Sequence, residues 1–361
     1  MEEKGKKGRM DYTLLLIVVF LVVIGLVILY STSAYNGQVK FHDSFYYLKK
    51  QAFATVLGIV LMLFVAGMDY HIWQRLAVFG YLAAVALSVA VMLFGREING
   101  SKRWLALGPF SFQPSEFAKV ALILFLADLV TKNVKTIGKM WTLCRIMFWI
   151  LPIVGLVGAS NLSTAIIILG IGVILIFVAS PKYAQFALMG LAGACFMGLF
   201  LALESYRLER LAIWRNPEKY EKGYQTLQGL YAIGSGGVFG VGLGNSVQKL
   251  GFVPEAQNDM IFSIICEELG LAGAGIIVFL FLLLIWRFFM IASGSRDLFG
   301  ALIATGAMAH MMIQVILNIA VVTNTIPNTG ITLPFISYGG TSVMFLLIEM
   351  GLVLSVSQVV D

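Results

Sequence analysis

Residues 12–30 read YTLLLIVVFLVVIGLVILY and contain no charged side chain. A helix needs about 20 apolar residues to cross a bilayer, so this stretch is expected to be a membrane span. Similar uncharged runs occupy 76–94, 162–179 and 184–203. The whole chain is 59% hydrophobic and 12% charged, about half the charged share of soluble domains, which argues against a water-soluble fold.

The hydropathy pattern predicts an all-α polytopic membrane protein, a single membrane domain over residues 1–361, with about ten transmembrane helices. The predicted spans are 12–30, 48–67, 75–94, 114–131, 145–160, 162–179, 184–203, 260–286, 298–322 and 340–358. An even number of spans places both termini on the same side.

Basic residues predict which side that is. Lys and Arg number twelve on the terminus side and twelve on the other, but six of the latter fall in one long loop at 204–259. Long loops contribute less to orientation. Twelve against six predicts cytoplasmic termini and an extracytoplasmic loop between helices 7 and 8.

The 204–259 loop is where a functional site is expected, because a loop of this length is usually functional or disordered. It contains the glycine-rich run AIGSGGVFGVGLGN at 232–245. Glycine permits close approach of backbone N–H groups to phosphate, but plain conformational need is the other explanation. The run does not match a nucleotide-binding motif.

Three ordered motifs lie outside the first span: NGSKRWLALGPFSFQPSEFAKVALILFLA at 99–127, GLYAIGSGGVFGVGLGNSVQKLGFVPEAQNDMIFSIICEELG at 229–270, and NIAVVTNTIPNTGITLPFISYGGTS at 318–342. Together with the amino-terminal DYTLLL and STSA, they resemble the SEDS (shape, elongation, division and sporulation) family. The sequence TGITLPFISYGGTS resembles the division and sporulation branch (FtsW, SpoVE) more than the elongation branch (RodA).

The resemblance implies a peptidoglycan glycosyltransferase of the bacterial cytoplasmic (inner) membrane. Such an enzyme polymerises lipid II into glycan strands at the outer face during cell division or related wall synthesis, with undecaprenyl pyrophosphate as the leaving group. The implied partners are a class B penicillin-binding protein transpeptidase and other divisome or elongasome membrane proteins. Nucleic acid is not an expected partner.

The chain departs from the family pattern at 159–165, where ASNLSTA stands in place of a QPDLGTA-like segment. The family commonly has an acidic residue at the position of Asn161. The departure therefore leaves open what Asn161 does.

Asp259 ends the long loop and precedes the apolar start of the eighth span. Position alone favours a helix N-cap, since aspartate accepts orphan backbone N–H bonds there. The family resemblance implies instead a catalytic carboxylate, a general base for the incoming sugar hydroxyl. Glu255 is a second candidate acid, with simple solvation as its alternative.

Several basic and aromatic residues are candidate substrate ligands. Arginine suits phosphate oxygens through its forked geometry, while interfacial anchoring or pairing with nearby acids is the alternative. The candidates are Lys102, Arg103 and Trp104 in the third outer segment and Arg207 and Arg210 in the long loop.

Two further groups lie inside spans. Glu116 and Lys119 share one helix face and either pair structurally or line a cavity for the lipid headgroup. His310, Gln314 and Asn318 form a polar stripe, a pattern that typically joins helices. The prolines and glycines at 327–340 indicate a re-entrant, non-helical segment, which is tolerated at membrane depth where it is buried.

Two other functions stay open on the sequence alone. A lipid II flippase or other transporter would also need ten spans, intramembrane charges and broken helices, and a scaffold would only recruit a synthase. No metal ligands are predicted, since Cys144, Cys195 and Cys266 lack metal-site spacing. The cofactor prediction is none, or a loosely bound divalent cation.

Overall fold

A computed structural model of the protein describes residues 9–98, 101–107, 110–182, 184–187, 190 and 211–359. Its helices are α1 (Tyr12–Phe41), α2 (Tyr46–Gly67), α3 (His71–Phe94), α4 (Pro114–Asn133), α5 (Met140–Ser160), α6 (Leu162–Ala179), α7 (Tyr224–Gly236), α8 (Ile261–Gly294), α9 (Leu298–Val322) and α10 (Gly340–Ser357). Short 3₁₀ turns at Pro217–Lys219 and Glu221–Gly223 precede α7.

Eight of the described helices are long and apolar enough to cross a membrane, whereas α4 is 20 residues long but carries charged side chains. The polytopic all-α architecture is therefore confirmed. The predicted seventh span, 184–203, lies mostly outside the described residues.

The first helix is longer than predicted and runs on to Phe41. Asp11 caps its start by accepting the backbone N–H of Leu14 at 2.9 Å, and His42 ends it in the left-handed conformation. Hydropathy marks only the part of a helix that lies in hydrocarbon. The polar residues after Tyr30 continue the backbone hydrogen bonds beyond that limit.

Helix α4 is the centre of the bundle and is buried on nearly every side. It packs against α3, α6 and α9, while α2 runs along α10. A helix enclosed in this way can carry charges only where other side chains compensate them.

The segment before α4 has secondary structure that the hydropathy pattern did not predict. It forms a small antiparallel sheet of β1 (Arg96–Ile98), β2 (Ser101–Leu107) and β3 (Phe110–Phe112), in the order β1-β2-β3. The sequence did carry a signal for this sheet, because Asn-Gly at 99–100 is typical of hairpin turns.

The two ends of the bundle differ in what they carry. One end is called the terminus face. There the Asp11 side chain, at the start of α1, forms an ion pair with Arg287. The Asp11 backbone N–H donates to the Ser357 hydroxyl at 3.1 Å. Both ends of the described chain therefore meet there, as an even number of spans predicts. The opposite end, called the site face, carries the sheet and the segments 217–259 and 323–339.

Candidate active site

Asp259 lies directly before α8 on the site face and is only 9% exposed. Asp259 precedes the N-cap residue of α8, Met260, which forms no side-chain cap bond. Asp259 Oδ1 accepts a hydrogen bond from the Gln225 amide of α7 at 3.4 Å. The carboxylate is thus held between the start of α8 and the long loop.

Burial changes the acidity of this group. Loss of solvation raises the pKa of the Asp259 carboxyl from 3.8 to about 6, and the negative charge of Glu255 acts in the same direction. Hydrogen bonds from nearby backbone N–H groups and from Gln225 partly oppose the rise. A carboxylate with a pKa near 6 is ionised at neutral pH and is basic enough to accept a proton from a reacting group.

Asp259 faces the 323–339 segment that joins α9 to α10. The segment is non-helical, as predicted. Gly330 has a φ of +68°, and a Cβ atom there would lie 4.0 Å from Asp259 Oδ2. The buried members of the segment are Ile331, Leu333, Pro334, Phe335, Ile336 and Ser337.

Backbone polar groups in a buried segment need partners, and the predicted polar stripe of α9 supplies them. Asn318 Nδ2 donates to the carbonyl of Ile331 at 2.7 Å and to that of Asp259 at 2.9 Å. Gln314 Nε2 donates to the carbonyl of Thr332 at 3.0 Å. The expectation that this stripe joins elements is confirmed, and Asn318, fully buried, ties the backbone of the candidate base to the segment it faces.

The far end of the 323–339 segment is held by Gln51 of α2, which the sequence analysis did not single out. Its amide donates to the Ser337 carbonyl at 3.3 Å and accepts from the Gly339 N–H at 3.1 Å. The Tyr338 N–H donates to the Gln257 carbonyl at 2.9 Å. The sequence did carry a signal for this role, because Gln51 is a polar residue inside a predicted membrane span, 48–67.

Glu116 and Lys119 form an ion pair at 3.0 Å, which confirms the predicted pairing. Both side chains are buried. Ser342 Oγ donates to Glu116 at 2.9 Å, and Lys119 Nζ donates to Gln314 Oε1 at 3.4 Å. The pair is therefore connected through Gln314 to the 323–339 segment.

The stripe also meets a second buried acid. The His310 ring contacts Gln314 Oε1 and Glu349 Oε2, each at 2.8 Å. The buried charges and amides of α4, α9 and α10 thus form one continuous network, which lowers the cost of burying them, although Glu349 Oε1 has no hydrogen-bond partner among the described residues.

The predicted basic cluster lies on β2, where Lys102 stands opposite Glu97 in the strand register. Arg103 Nε donates to the Ser160 carbonyl at the end of α5 at 3.1 Å. Trp104 is half-buried. Arg103 therefore lies at the α5–α6 junction.

A chain of contacts connects this junction to the candidate base. Ser163 Oγ, in the first turn of α6, donates to the Thr329 carbonyl at 2.8 Å, and Thr329 adjoins Gly330. Asn161 Oδ1 accepts the Thr164 N–H at 3.3 Å and caps α6, so the departure from the family pattern keeps a helix cap at this position.

The remaining predicted site residues are placed only in part. Arg207 and Arg210 lie outside the described residues. Glu255 has a left-handed backbone, with φ +53°, and accepts the Asn258 amide at 2.5 Å. Its charge acts on Asp259 as described above. Trp214, just after the two arginines, donates to the Asn324 carbonyl at 2.9 Å.

The glycine-rich run serves backbone packing. A Cβ on Gly236 would lie 1.9 Å from the Cys266 carbonyl, and one on Gly240 2.2 Å from that of Glu268. The N–H groups of Val241 and Gly242 donate to the Glu267 and Glu268 carbonyls at 2.9 and 3.0 Å. The structure thus favours conformational need over a phosphate cradle for this run.

Two acidic residues of α8 were missed at the sequence level. Glu268 forms a buried ion pair with Lys249 at 2.5 Å, and Glu267 accepts the Ser246 hydroxyl and the Val247 N–H. They fix the part of the loop that leads to Asp259. The signal was available, since adjacent acids in an apolar run demand partners.

Among the described residues, no three His, Cys, Asp or Glu side chains are grouped as metal ligands. We therefore assign no residue to a divalent cation, and the cation stays a prediction.

Comparison with known proteins places this arrangement in context. Residues 12–361 match the family model described as cell cycle protein, FtsW/RodA/SpoVE. Stage V sporulation protein E of Bacillus subtilis is 40% identical, with 98% of each chain covered. A probable peptidoglycan glycosyltransferase FtsW of Trichlorobacter lovleyi is 35% identical, over 96% of this chain and 93% of that one.

Solved structures agree in fold. A chain from a peptidoglycan synthase complex, studied for its coordination of polymerization and crosslinking, matches with a TM-score of 0.83 and 30% identity over 96% of this chain and 97% of that one. RodA of Thermus thermophilus matches with a TM-score of 0.72 and 28% identity over 96% of each chain. The chain therefore belongs to the FtsW/RodA/SpoVE family of cell cycle proteins.

Proposed function

We propose that this protein is a peptidoglycan glycosyltransferase that polymerises lipid II. The observation that carries the proposal is the buried Asp259 carboxylate, with its raised pKa, facing Gly330 on the site face. The relatives named peptidoglycan glycosyltransferase FtsW support it. Identity with the sporulation and division relatives, 40% and 35%, exceeds the 28% with RodA, which favours a role in division or sporulation.

The proposed reaction is a glycosyl transfer with Asp259 as general base. The acceptor sugar hydroxyl attacks the anomeric carbon of the lipid-linked donor, and Asp259 takes the hydroxyl proton. The bond between that carbon and the pyrophosphate oxygen breaks, and undecaprenyl pyrophosphate leaves with the electron pair. Proton acceptance by a positioned carboxylate contributes about 10²–10⁴-fold to such a step.

The other predicted ligands keep proposed roles. Lys102, Arg103 and Trp104 would contact the substrate from β2, and Arg207 and Arg210 would neutralise the departing pyrophosphate. Glu116 and Lys119 would line the headgroup cavity. Glu255 would tune Asp259, because its charge raises the pKa of that carboxyl.

The proposed partner is a class B penicillin-binding protein, which would crosslink the strands made here. The likeness to a chain of a peptidoglycan synthase complex supports a synthase partner in general. Association with other divisome or elongasome proteins is part of the same proposal.

The direct test is to incubate the purified protein with lipid II, with and without a cognate penicillin-binding protein. Glycan strands are expected in at least the complex. Redistribution of lipid II across vesicles without any glycan product would identify a transporter instead, and neither outcome in the complex would leave a scaffold.

The proposal includes an orientation, with the site face outside the cytoplasmic membrane. A cysteine placed at 216–224 is expected to react with an impermeant thiol reagent in intact cells, and one at 133–138 is not. The charge distribution motivates this expectation. Labelling at 133–138 and protection at 216–224 would contradict the outer-face mechanism.

The acidity of Asp259 predicts the pH dependence of polymerisation. Only the ionised carboxylate accepts a proton, so the rate should rise as pH increases through about 6. Glu255→Gln removes a like charge that raises the pKa of Asp259. The acidic limb of its pH–rate profile should therefore move to lower pH, whatever the variant's maximal rate.

Glu218→Gln is the matched control, since this acid is exposed in the same loop and does not contribute to the acidity of Asp259. Its acidic limb should coincide with that of the parent. If the acidic limb of the Glu255→Gln profile coincides with that of the parent, Glu255 does not influence the pKa of Asp259.

A further inference from the structure

Residues 238–252, called the inverted segment, turn most of their apolar side chains outward and bury two of their polar ones, while Asn245 is exposed. Ser246 and Lys249 are buried. Phe239 is 83% exposed. The other exposed apolar residues are Val238, Val241, Leu243, Val247, Leu250 and Phe252. In water this polarity is unfavourable, because charges leave solvent while apolar surface enters it. It suits a segment surrounded by hydrocarbon.

Ser246 and Lys249 both have polar partners, whereas Gln248 Oε1 is buried without one among the described residues. Lys249 Nζ lies 2.5 Å from Glu268 Oε1 and 3.0 Å from the Ser31 hydroxyl of α1. Ser31 Oγ also donates to Glu268 at 2.7 Å. The inverted segment is thereby fixed to α1 and α8 with its apolar side outward, so the exposure does not arise from a loose loop.

Helix geometry gives the depth of these contacts. Helices α1 and α8 are joined by Asp11 and Arg287 at the terminus face and by Ser31 and Glu268 at the other end. At 1.5 Å per residue, Asp11 to Ser31 spans about 30 Å along α1. This length matches the roughly 30 Å hydrocarbon core, which places Ser31 and its partner Glu268 at the boundary. Helix α8 is interrupted at Gly270, where φ is +67°, so the depth is taken from α1.

The inverted segment reaches below this boundary. Leu271 N–H donates to the Gly237 carbonyl at 2.9 Å, and Ala272 N–H to that of Val238 at 3.0 Å. Leu271 and Ala272 begin the part of α8 that follows the interruption at Gly270 and runs toward the terminus face. Leu271 is 70% exposed, so the apolar side of the segment continues the outward apolar surface of α8.

We propose that the inverted segment is embedded in the lipid leaflet at the site face, with acyl chains covering its exposed apolar side chains. Part of the predicted aqueous loop then belongs to the membrane. Because Asp259 lies seven positions after the segment and directly before α8, its carboxylate stands at the hydrocarbon edge, where a lipid-tethered substrate would arrive. The embedding itself does not depend on the proposed function.

The test measures depth in phosphatidylcholine vesicles that contain this protein alone. In a background free of Cys144, Cys195 and Cys266, Phe239→Cys carries an environment-sensitive NBD fluorophore. We expect quenching by lipids with a nitroxide at a shallow acyl position and protection from aqueous iodide. Phe279→Cys, on the exposed side of α8, is the deep reference, and Lys219→Cys, exposed before α7, is the aqueous reference.

Val247→Cys is a second probe, which guards against a local disturbance at Phe239. Lipid quenching at both positions supports the proposal. Iodide quenching at both, equal to that at Lys219→Cys, would overturn it and would indicate that a protein partner covers this surface instead.

Discussion

Asp259→Asn is expected to lower glycan polymerisation by about two to four orders of magnitude, the typical contribution of a general base. Asparagine has nearly the same shape as aspartate and can still accept the hydrogen bond that the Gln225 amide donates. It cannot accept the hydroxyl proton. The measurement is chain growth from lipid II by the purified variant with its penicillin-binding partner.

Stability separates loss of chemistry from loss of fold in this variant. The pKa of Asp259 is raised on folding, so its contribution to stability is present below about pH 4 and is lost as pH rises through about 6. At pH 7 the ionised carboxylate costs roughly 3 kcal/mol at most. At pH 7 the free energy of unfolding of the asparagine variant should therefore be no lower than that of the parent.

A folded Asp259→Asn protein that keeps more than about a tenth of the parent rate would exclude the general-base role. In that case Glu255 becomes the carboxylate to test. A variant that misfolds would instead contradict the reasoning on charge burial.

Much of the fold could be predicted from local patterns in the sequence. Most spans were recognisable from a long apolar run, because hydrocarbon favours apolar side chains and a helix satisfies the backbone hydrogen bonds within the segment. The Glu116–Lys119 pair was also predictable, because a spacing of three residues places both side chains on one helix face. Asp259 was found by its boundary position and the motif around it.

What escaped prediction depends on contacts between distant parts of the chain. Asn318 reaches a carbonyl 59 positions away, and Gln51 holds a segment 286 positions further on. The exposed apolar surface of 238–252 could not be predicted, because its glycines lower the mean hydropathy of the segment. Lys249 also makes the segment resemble a loop in water. Only the partner Glu268 reveals that this lysine points inward.

Lys119→Met is expected to destabilise the protein by about 3–5 kcal/mol, because it leaves the buried Glu116 carboxylate without its cation. Lys119 is among the most buried side chains of the described residues. The free energy of unfolding can be measured by SDS titration in mixed micelles. Lys49→Met is the control at an exposed pair: Lys49 lies 2.8 Å from Asp43, and the two side chains are 69% and 35% exposed, so its loss should cost at most about 1 kcal/mol.

The double variant Glu116→Gln, Lys119→Met separates a structural pair from a substrate site. Removing both charges removes the uncompensated one, so most of the lost stability should return. If the pair lines the headgroup cavity, as proposed, the refolded double variant should still polymerise lipid II poorly, with a raised KM. Parent-like kinetics in a stable double variant would show that the pair serves only to hold α4 in place, because catalysis would then need neither charge.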